Sequence, residues 1–335
     1  MDNTGIIITL AYPDTVVRIS DEKYVSYIRY LGIGKKNYVR AGHAALVLIN
    51  TQDGNLEYFD FGRYTTPQGF GRVRGKDTDH ELDFHLKAEI ENGSIKNLEN
   101  IIKFLATNPK LTHGEGKMVV SICDEVNYQK AKIYINRMRD TGLIKYAAFS
   151  KNASNCSRFV TDTLIASVTN KKIVKSLIKS NRFTPSTVGN VVNANTTKQV
   201  KVVCERGLIS KFTSTPAREN TRCFLDRLND YKPNFIGNIQ PMHVDGVHEK
   251  AQWLEGVGAG AWFELHKTSS PNQYRFRRIS PYGNVDVNGL YKVNDTTFNY
   301  EEVYSFEHYS NCSFYHIEQK KTIYRFDLIK RETST

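Results

Sequence analysis

Cysteine is scarce and scattered: five in 335 residues, with no Cys-x-x-Cys pair. That spacing excludes a disulfide framework and a zinc ribbon, and the odd count leaves at least one free thiol. Long apolar runs are absent too. None approaches the roughly 18 to 20 residues needed to cross a bilayer, and Met1-Asp2-Asn3-Thr4 carries neither the basic region nor the cleavage site of a secretory signal. A cytoplasmic protein is expected. Gly32-Ile33-Gly34 lacks the remaining residues of a dinucleotide or phosphate-loop fingerprint. His243 and His248 have no third ligand and no helix to align them, so no metal and no cofactor are expected. Acidic residues are outnumbered, 35 against 46 basic, giving a formal charge of +11. No nucleic-acid motif accompanies the excess, and its densest run, Lys171, Lys172, Lys175 and Lys179, reads as a solvated helix face rather than a nucleic-acid site.

What is present is enough apolar residue, 40%, for a substantial core and two domains. Residues 1 to 230 mix strands and helices. Gly5 to Tyr12 and Met118 to Cys123 read as buried strands, and Leu82, Phe84, Leu86, Ala88 and Ile90 alternate as a half-buried one. Ser94 opens a helix that ends at Asn108-Pro109, Tyr128 to Asp140 forms a second, and a short helix follows Pro185. Cys123 reads as core. Residues 231 to 335 read as a small all-β accessory domain: from Gly258 onward the chain is a series of Tyr- and Phe-rich strands separated by Asn, Gly and Pro turns, an antiparallel sheet or partial barrel.

Two segments carry chemistry. Gly42-His43-Ala44-Ala45-Leu46-Val47-Leu48-Ile49 runs through an Asp53-Gly54 turn into Leu56-Glu57-Tyr58-Phe59-Asp60-Phe61, a β-hairpin. A turn centred near Gln52 and Asp53 sets His43 opposite Gly62, so Asp60 shares its face at the diagonal position. Asn155-Cys156-Ser157-Arg158-Phe159-Val160 is the second. Ser154 or Asn155 caps a helix there, Phe159, Val160 and Leu164 repeat at helical spacing, and Cys156 falls among the unpaired amides of the first turn. Those amides and the helix dipole favour thiolate, the nucleophilic form of cysteine. A thiol nucleophile, an imidazole to take its proton and an acceptor to orient the ring form a nucleophilic set, with Asp60 as acceptor and Glu57 as the alternative.

The order His, then Cys on a helix start, then Phe183-Thr184-Pro185-Ser186, resembles the circularly permuted papain-like cysteine hydrolases, the group of permuted NlpC-type and lecithin:retinol acyltransferase-like proteins. The resemblance spans about two thirds of the chain. It implies an α+β fold, with an antiparallel sheet packed on the Cys-bearing helix, followed by the small all-β domain. It also implies a cysteine peptidase or amidase acting on a peptide or isopeptide bond through a thioester. The same fold supports a lipid acyltransferase or thioesterase, and a non-catalytic binding module with a basic surface is the competing class. Many relatives carry a second His on the strand after the first; here none occurs between His43 and His80. The family often supplies substrate contacts from the segment before the His strand, which puts Tyr12 beside the substrate. Arg63 and Arg72, in the Gly- and Thr-rich stretch after the hairpin, are the candidates for holding a substrate carboxylate or phosphate.

Overall fold

The computed structural model describes all residues except 1–2, 23–26, 28–29, 31, 36, 198, 232–243 and 333–335. The chain folds into two compact units, Met1–Gly62 with Phe84–Pro233, and Arg63–Asp83 with Asn234–Thr335. The single break expected near residue 230 does not account for 63–83, which leave the first unit after the hairpin and belong to the second.

In the first unit, strands β1 (Gly5–Tyr12), β2 (His43–Asn50), β3 (Leu56–Gly62), β4 (Met118–Val126), β5 (Lys201–Val203) and β6 (Ile209–Lys211) lie side by side in the order β3-β2-β1-β4-β5-β6. The pairings β1 with β2, β1 with β4, β2 with β3, β4 with β5 and β5 with β6 are antiparallel. β1 is buried along its whole length and β2 up to its last residue, which explains their unbroken apolar character: a strand covered on both faces has no polar face to alternate with.

Helices α1 (Leu98–Thr107), α2 (Tyr128–Asp140), α3 (Cys156–Ser167), α4 (Lys171–Ser180), α5 (Thr187–Ala194) and α6 (Pro216–Phe224) complete the unit. α3 packs on β2 and β3, α5 on β1 and β4, and α2 on α3. α2 has the bounds its periodicity predicts, and Cys123 is fully buried as expected. α1 starts later than Ser94, at Leu98 behind Asn97, because Ser94–Ile95 instead pairs with Ile90–Glu91. The alternating stretch 82–90 is not a strand. Leu82, Phe84 and Ala88 are buried and His85 is exposed, so the alternation of burial is real, but His80–Leu82 is a single 3₁₀ turn and only Ile90 enters a ladder. Period-two burial reports an extended chain with one covered side; a strand also needs a hydrogen-bonding neighbour.

Among the described residues the second unit is all-β apart from that turn. β7 (Gln252–Leu254), β8 (Ala261–Lys267), β9 (Gln273–Ile279), β10 (Val285–Val293), β11 (Ser305–Glu307), β12 (Phe314–Gln319) and β13 (Thr322–Arg331) form an antiparallel sheet in the order β7-β8-β9-β10-β13-β12-β11. The sheet curls until its two edges approach. Gln252 bridges them: Nε2 donates to the Tyr304 carbonyl at 2.9 Å and Oε1 accepts from the Phe306 amide at 2.9 Å. The near-barrel is filled by aromatic rings, with Tyr315 stacked between Phe276 (centroids 4.3 Å apart) and Phe326 (4.6 Å).

Residues 63–83 are held in this unit by buried charge. Arg278 reaches Asp79 and Glu81, each at 3.1 Å, and Arg72 grips Asp79 through both terminal nitrogens. Burial alone would raise the Asp79 carboxyl, but Arg72 and Arg278 outweigh it and hold the group well below the usual carboxylate range. The Gly- and Thr-rich stretch Arg63 to Arg72, whose composition points to a loop, runs at its end into a strand, Phe70–Arg74.

Candidate active site

The hairpin register is the one its turn predicts. Ala45 pairs with Asp60, Leu46 with Phe59 and Ile49 with Leu56, so His43, at the first residue of β2, falls opposite Gly62, with Asp60 diagonal to it on the same face. Gly42 precedes it at φ +76°, the left-handed conformation that glycine tolerates, and a Cβ there would meet Thr187 Oγ1 at 3.0 Å and Pro13 Cα at 3.1 Å. From this position Nε2 of His43 donates to Asp60 Oδ2 at 3.2 Å. Asp60 is wholly buried, and the same Oδ2 accepts from the Tyr58 hydroxyl at 3.0 Å. Tyr58 sits two residues before Asp60 on the same face of β3. Sequence reading missed it, although that parity was available as a signal.

Cys156 opens α3, as its sequence indicates. The cap is Asn155 rather than Ser154: its backbone is extended, its Oδ1 accepts from the Arg158 amide at 2.9 Å, and its Nδ2 donates to the Ala147 carbonyl at 2.9 Å. Because α3 packs across β2 and β3, its first residue meets the end of β2 that bears His43. The Cys156 thiol and the His43 imidazole interact closely enough for each to shift the other's titration, and Nε2 of the ring is committed to Asp60. Burial works to raise the thiol pKa, but the bond to His43, its charge, the Ala44 amide and the Ser157 side chain together bring it below its ordinary value. Burial likewise works to lower the imidazole, and its bonds to Asp60 and Cys156 override that and raise it to about 9. Opposite shifts in a contacting pair favour thiolate beside imidazolium.

The helix start is braced from two sides. Asn190, fully buried on α5, donates to the Ser157 carbonyl at 2.8 Å and accepts from Thr161 Oγ1 at 2.6 Å. α5 is the helix after Thr184-Pro185, and Ser186 caps it by accepting from the Gly189 amide at 2.9 Å. On the other side, the buried Arg158 guanidinium collects the carbonyls of Ala148, Ser150, Ala153 and Phe183. Glu22 accepts from the successive amides of Ala148, Phe149 and Ser150 at 2.7, 3.1 and 3.1 Å. Neither Asn190 nor Glu22 has a sequence signal, since each acts across a long stretch of chain.

The remaining candidates fall elsewhere. Glu57 points to the opposite face of β3, where it pairs with Lys132 at 2.8 Å and accepts from the Tyr128 hydroxyl at 2.9 Å, away from His43. Tyr12 pairs with His43 across β1 and β2 and lies roughly parallel to its ring, with centroids 6.3 Å apart. It is 1% exposed and its hydroxyl donates to the Leu105 carbonyl at 3.4 Å, while burial drives the phenol pKa well up. Gly114 lies against that ring so closely that a Cβ would come within 2.2 Å of it. Tyr12 is thus a packed wall behind the imidazole rather than an exposed substrate contact.

Arg63 and Arg72, expected to bind a substrate anion, are both buried within the second unit. Arg72 spends its in-plane donors on Asp79, at 2.6 and 2.7 Å, and on the Tyr64 carbonyl at 3.0 Å. A bidentate carboxylate already within the fold satisfies the geometry a substrate would have used. Among the described residues there is no group of three or more His, Cys, Asp or Glu arranged to hold a metal ion; His243 lies outside them.

Residues 7–173 match the family described as type VI secretion system effector TseH-like, and residues 251–329 match the family described as the DUF6695 C-terminal domain. The crystal structure of the type VI secretion system effector TseH is similar over 63% of this chain and 99% of that chain, at 17% identity and a TM-score of 0.41. No curated protein matches the chain.

Proposed function

We propose that the first unit is a cysteine-dependent amide hydrolase of the permuted papain-like type, with Cys156 as nucleophile, His43 as general base and acid, and Asp60 as its orienter. The observation that carries this reading is the chain of contacts from Asp60 through His43 to Cys156, with the thiol shifted down and the imidazole shifted up. The thiolate attacks the carbonyl carbon, and the developing oxyanion is met by the Cys156 backbone amide at the first position of α3. The C–N bond then breaks as imidazolium delivers its proton to the departing amine, leaving a thioester. Water, deprotonated by the now neutral His43, attacks that thioester; the C–S bond breaks and the acid departs.

The raised imidazole keeps a proton available for an amine leaving group. An amine is a poor leaving group unless protonated, and a base that holds its proton up to about pH 9 is suited to supply it. The likeness of residues 7–173 to a type VI secretion system effector family supports a protein that acts after export.

An electrophilic acyl probe followed by peptide mapping tests the reading. Labelling is expected at Cys156 and is expected to disappear in His43→Asn. Uniform labelling of accessible thiols, unchanged by His43→Asn, would leave a binding module in place of an enzyme.

A further inference from the structure

At the end of α3 remote from Cys156, the first unit carries a groove of about 490 Å³ between the start of α2, the last turn of α3 and one side of α4. Ile165 and Ala166 lie nine and ten residues beyond Cys156 on the same helix, about 14 Å along its axis, so the groove is separate from the thiol. Ile165, Val168, Val174 and Ile178 line it with apolar surface, and Ile178 is 48% exposed. Lys130, Lys171, Lys175, Lys179 and Arg182 line it with charge of one sign; no acidic residue does. None of these five side chains makes an ion pair or hydrogen bond with a described residue, in a chain where most buried and many exposed arginines and lysines are paired.

We propose that this groove is a docking site for an acidic amphipathic helix of a partner protein. Two features of the lining select that chemistry. The cations come from two elements, Lys130 from α2 and Lys171, Lys175 and Lys179 from α4, with Arg182 two residues beyond the end of α4. A helix with an apolar stripe flanked by carboxylates presents the complement. Lys171, Lys175 and Lys179 recur every four residues, so their charge extends over about 12 Å along α4. Anionic groups distributed along a ligand match that row, whereas a single headgroup meets one end of it. The surface is also concave, the shape that receives a convex helix rather than a flat bilayer.

The test uses the full chain and fluorescence anisotropy with a labelled synthetic 14-residue helical peptide bearing a Leu stripe flanked by Glu. The control peptide has the same charge, with Ser in place of Leu. The Leu peptide is expected to saturate, with the Ser peptide at least about tenfold weaker. Combined Lys171→Glu, Lys175→Glu and Lys179→Glu should weaken the Leu peptide by about tenfold or more, and Ile178→Ser by several-fold; Lys211→Glu, outside the groove, should leave it unchanged. Far-ultraviolet circular dichroism and the thermal transition verify that each variant is folded. Equal binding of the two peptides, no binding of either, or tighter binding of phosphatidylglycerol vesicles or 20-nucleotide single-stranded DNA than of the Leu peptide would each overturn the assignment. Because Cys156 plays no part in it, the outcome is independent of the acyl-probe result.

Discussion

Nε2 of His43 meets Oδ2 of Asp60 at 3.2 Å across the diagonal of one hairpin, and the same carboxylate oxygen takes the Tyr58 hydroxyl. Held this way, the imidazole is fixed beside Cys156 at the helix start. A buried carboxylate with two donors is fixed in place and fixes the ring in turn.

Asp60 and Glu57 separate by substitution. Asp60→Asn should lower hydrolysis of a peptide substrate by about 10²-fold or more with the fold intact, because the amide no longer stabilises imidazolium. Glu57→Gln should leave turnover unchanged and cost about 1 to 3 kcal/mol in urea denaturation, because Lys132 and Tyr128 lose a charged acceptor. The reverse pattern would transfer the orienting role to Glu57.

The pH dependence follows from the directions of the two shifts. Cys156 is an acid with its pKa moved down, so thiolate persists into the pH range where an ordinary thiol is protonated; His43 is a base with its pKa moved up to about 9, so imidazolium persists above neutrality. Iodoacetamide should therefore alkylate Cys156 at lower pH than it does an ordinary cysteine. Amide turnover should fall as pH rises through about 9 and His43 loses its proton. In His43→Asn, the alkylation profile should move up to that of an ordinary or buried thiol. A Cys156 profile that coincides with the other four cysteines would refute the ion pair.

Gly114 is a packing requirement behind the site. Gly114→Ala drives a methyl to within 2.2 Å of the Tyr12 ring, which is pinned by β1, His43 and Leu105. A destabilisation of about 1 to 3 kcal/mol is expected by chemical denaturation. Restoration of stability in Gly114→Ala combined with Tyr12→Leu would identify the ring as the obstacle.

Glu22 fixes the loop that leads to Cys156. Glu22→Ala removes the acceptor shared by the amides of Ala148, Phe149 and Ser150, and hydrogen exchange at those three positions should accelerate by about tenfold or more. Unchanged protection would mean that Arg158 alone holds the loop.

The sequence by itself determined what depends on neighbours along the chain. An Asp-Gly turn and period-two alternation set the hairpin register, and the register put His43 and Asp60 on one face. A capping Asn155 and helical spacing placed Cys156 at a helix start. These are consequences of local sterics and hydrogen bonding, which act over a few residues. Tertiary structure alone decided the rest. It brought Cys156 to His43, added Asn190 and Glu22 as braces, turned Glu57 toward Lys132 and enclosed Arg72 with Asp79. It also denied residues 82–90 a strand despite their alternation, because a ladder requires a partner that no local pattern can supply. Which charges meet is settled by the packing of distant elements, and a single chain carries no record of that packing in the spacing of its residues.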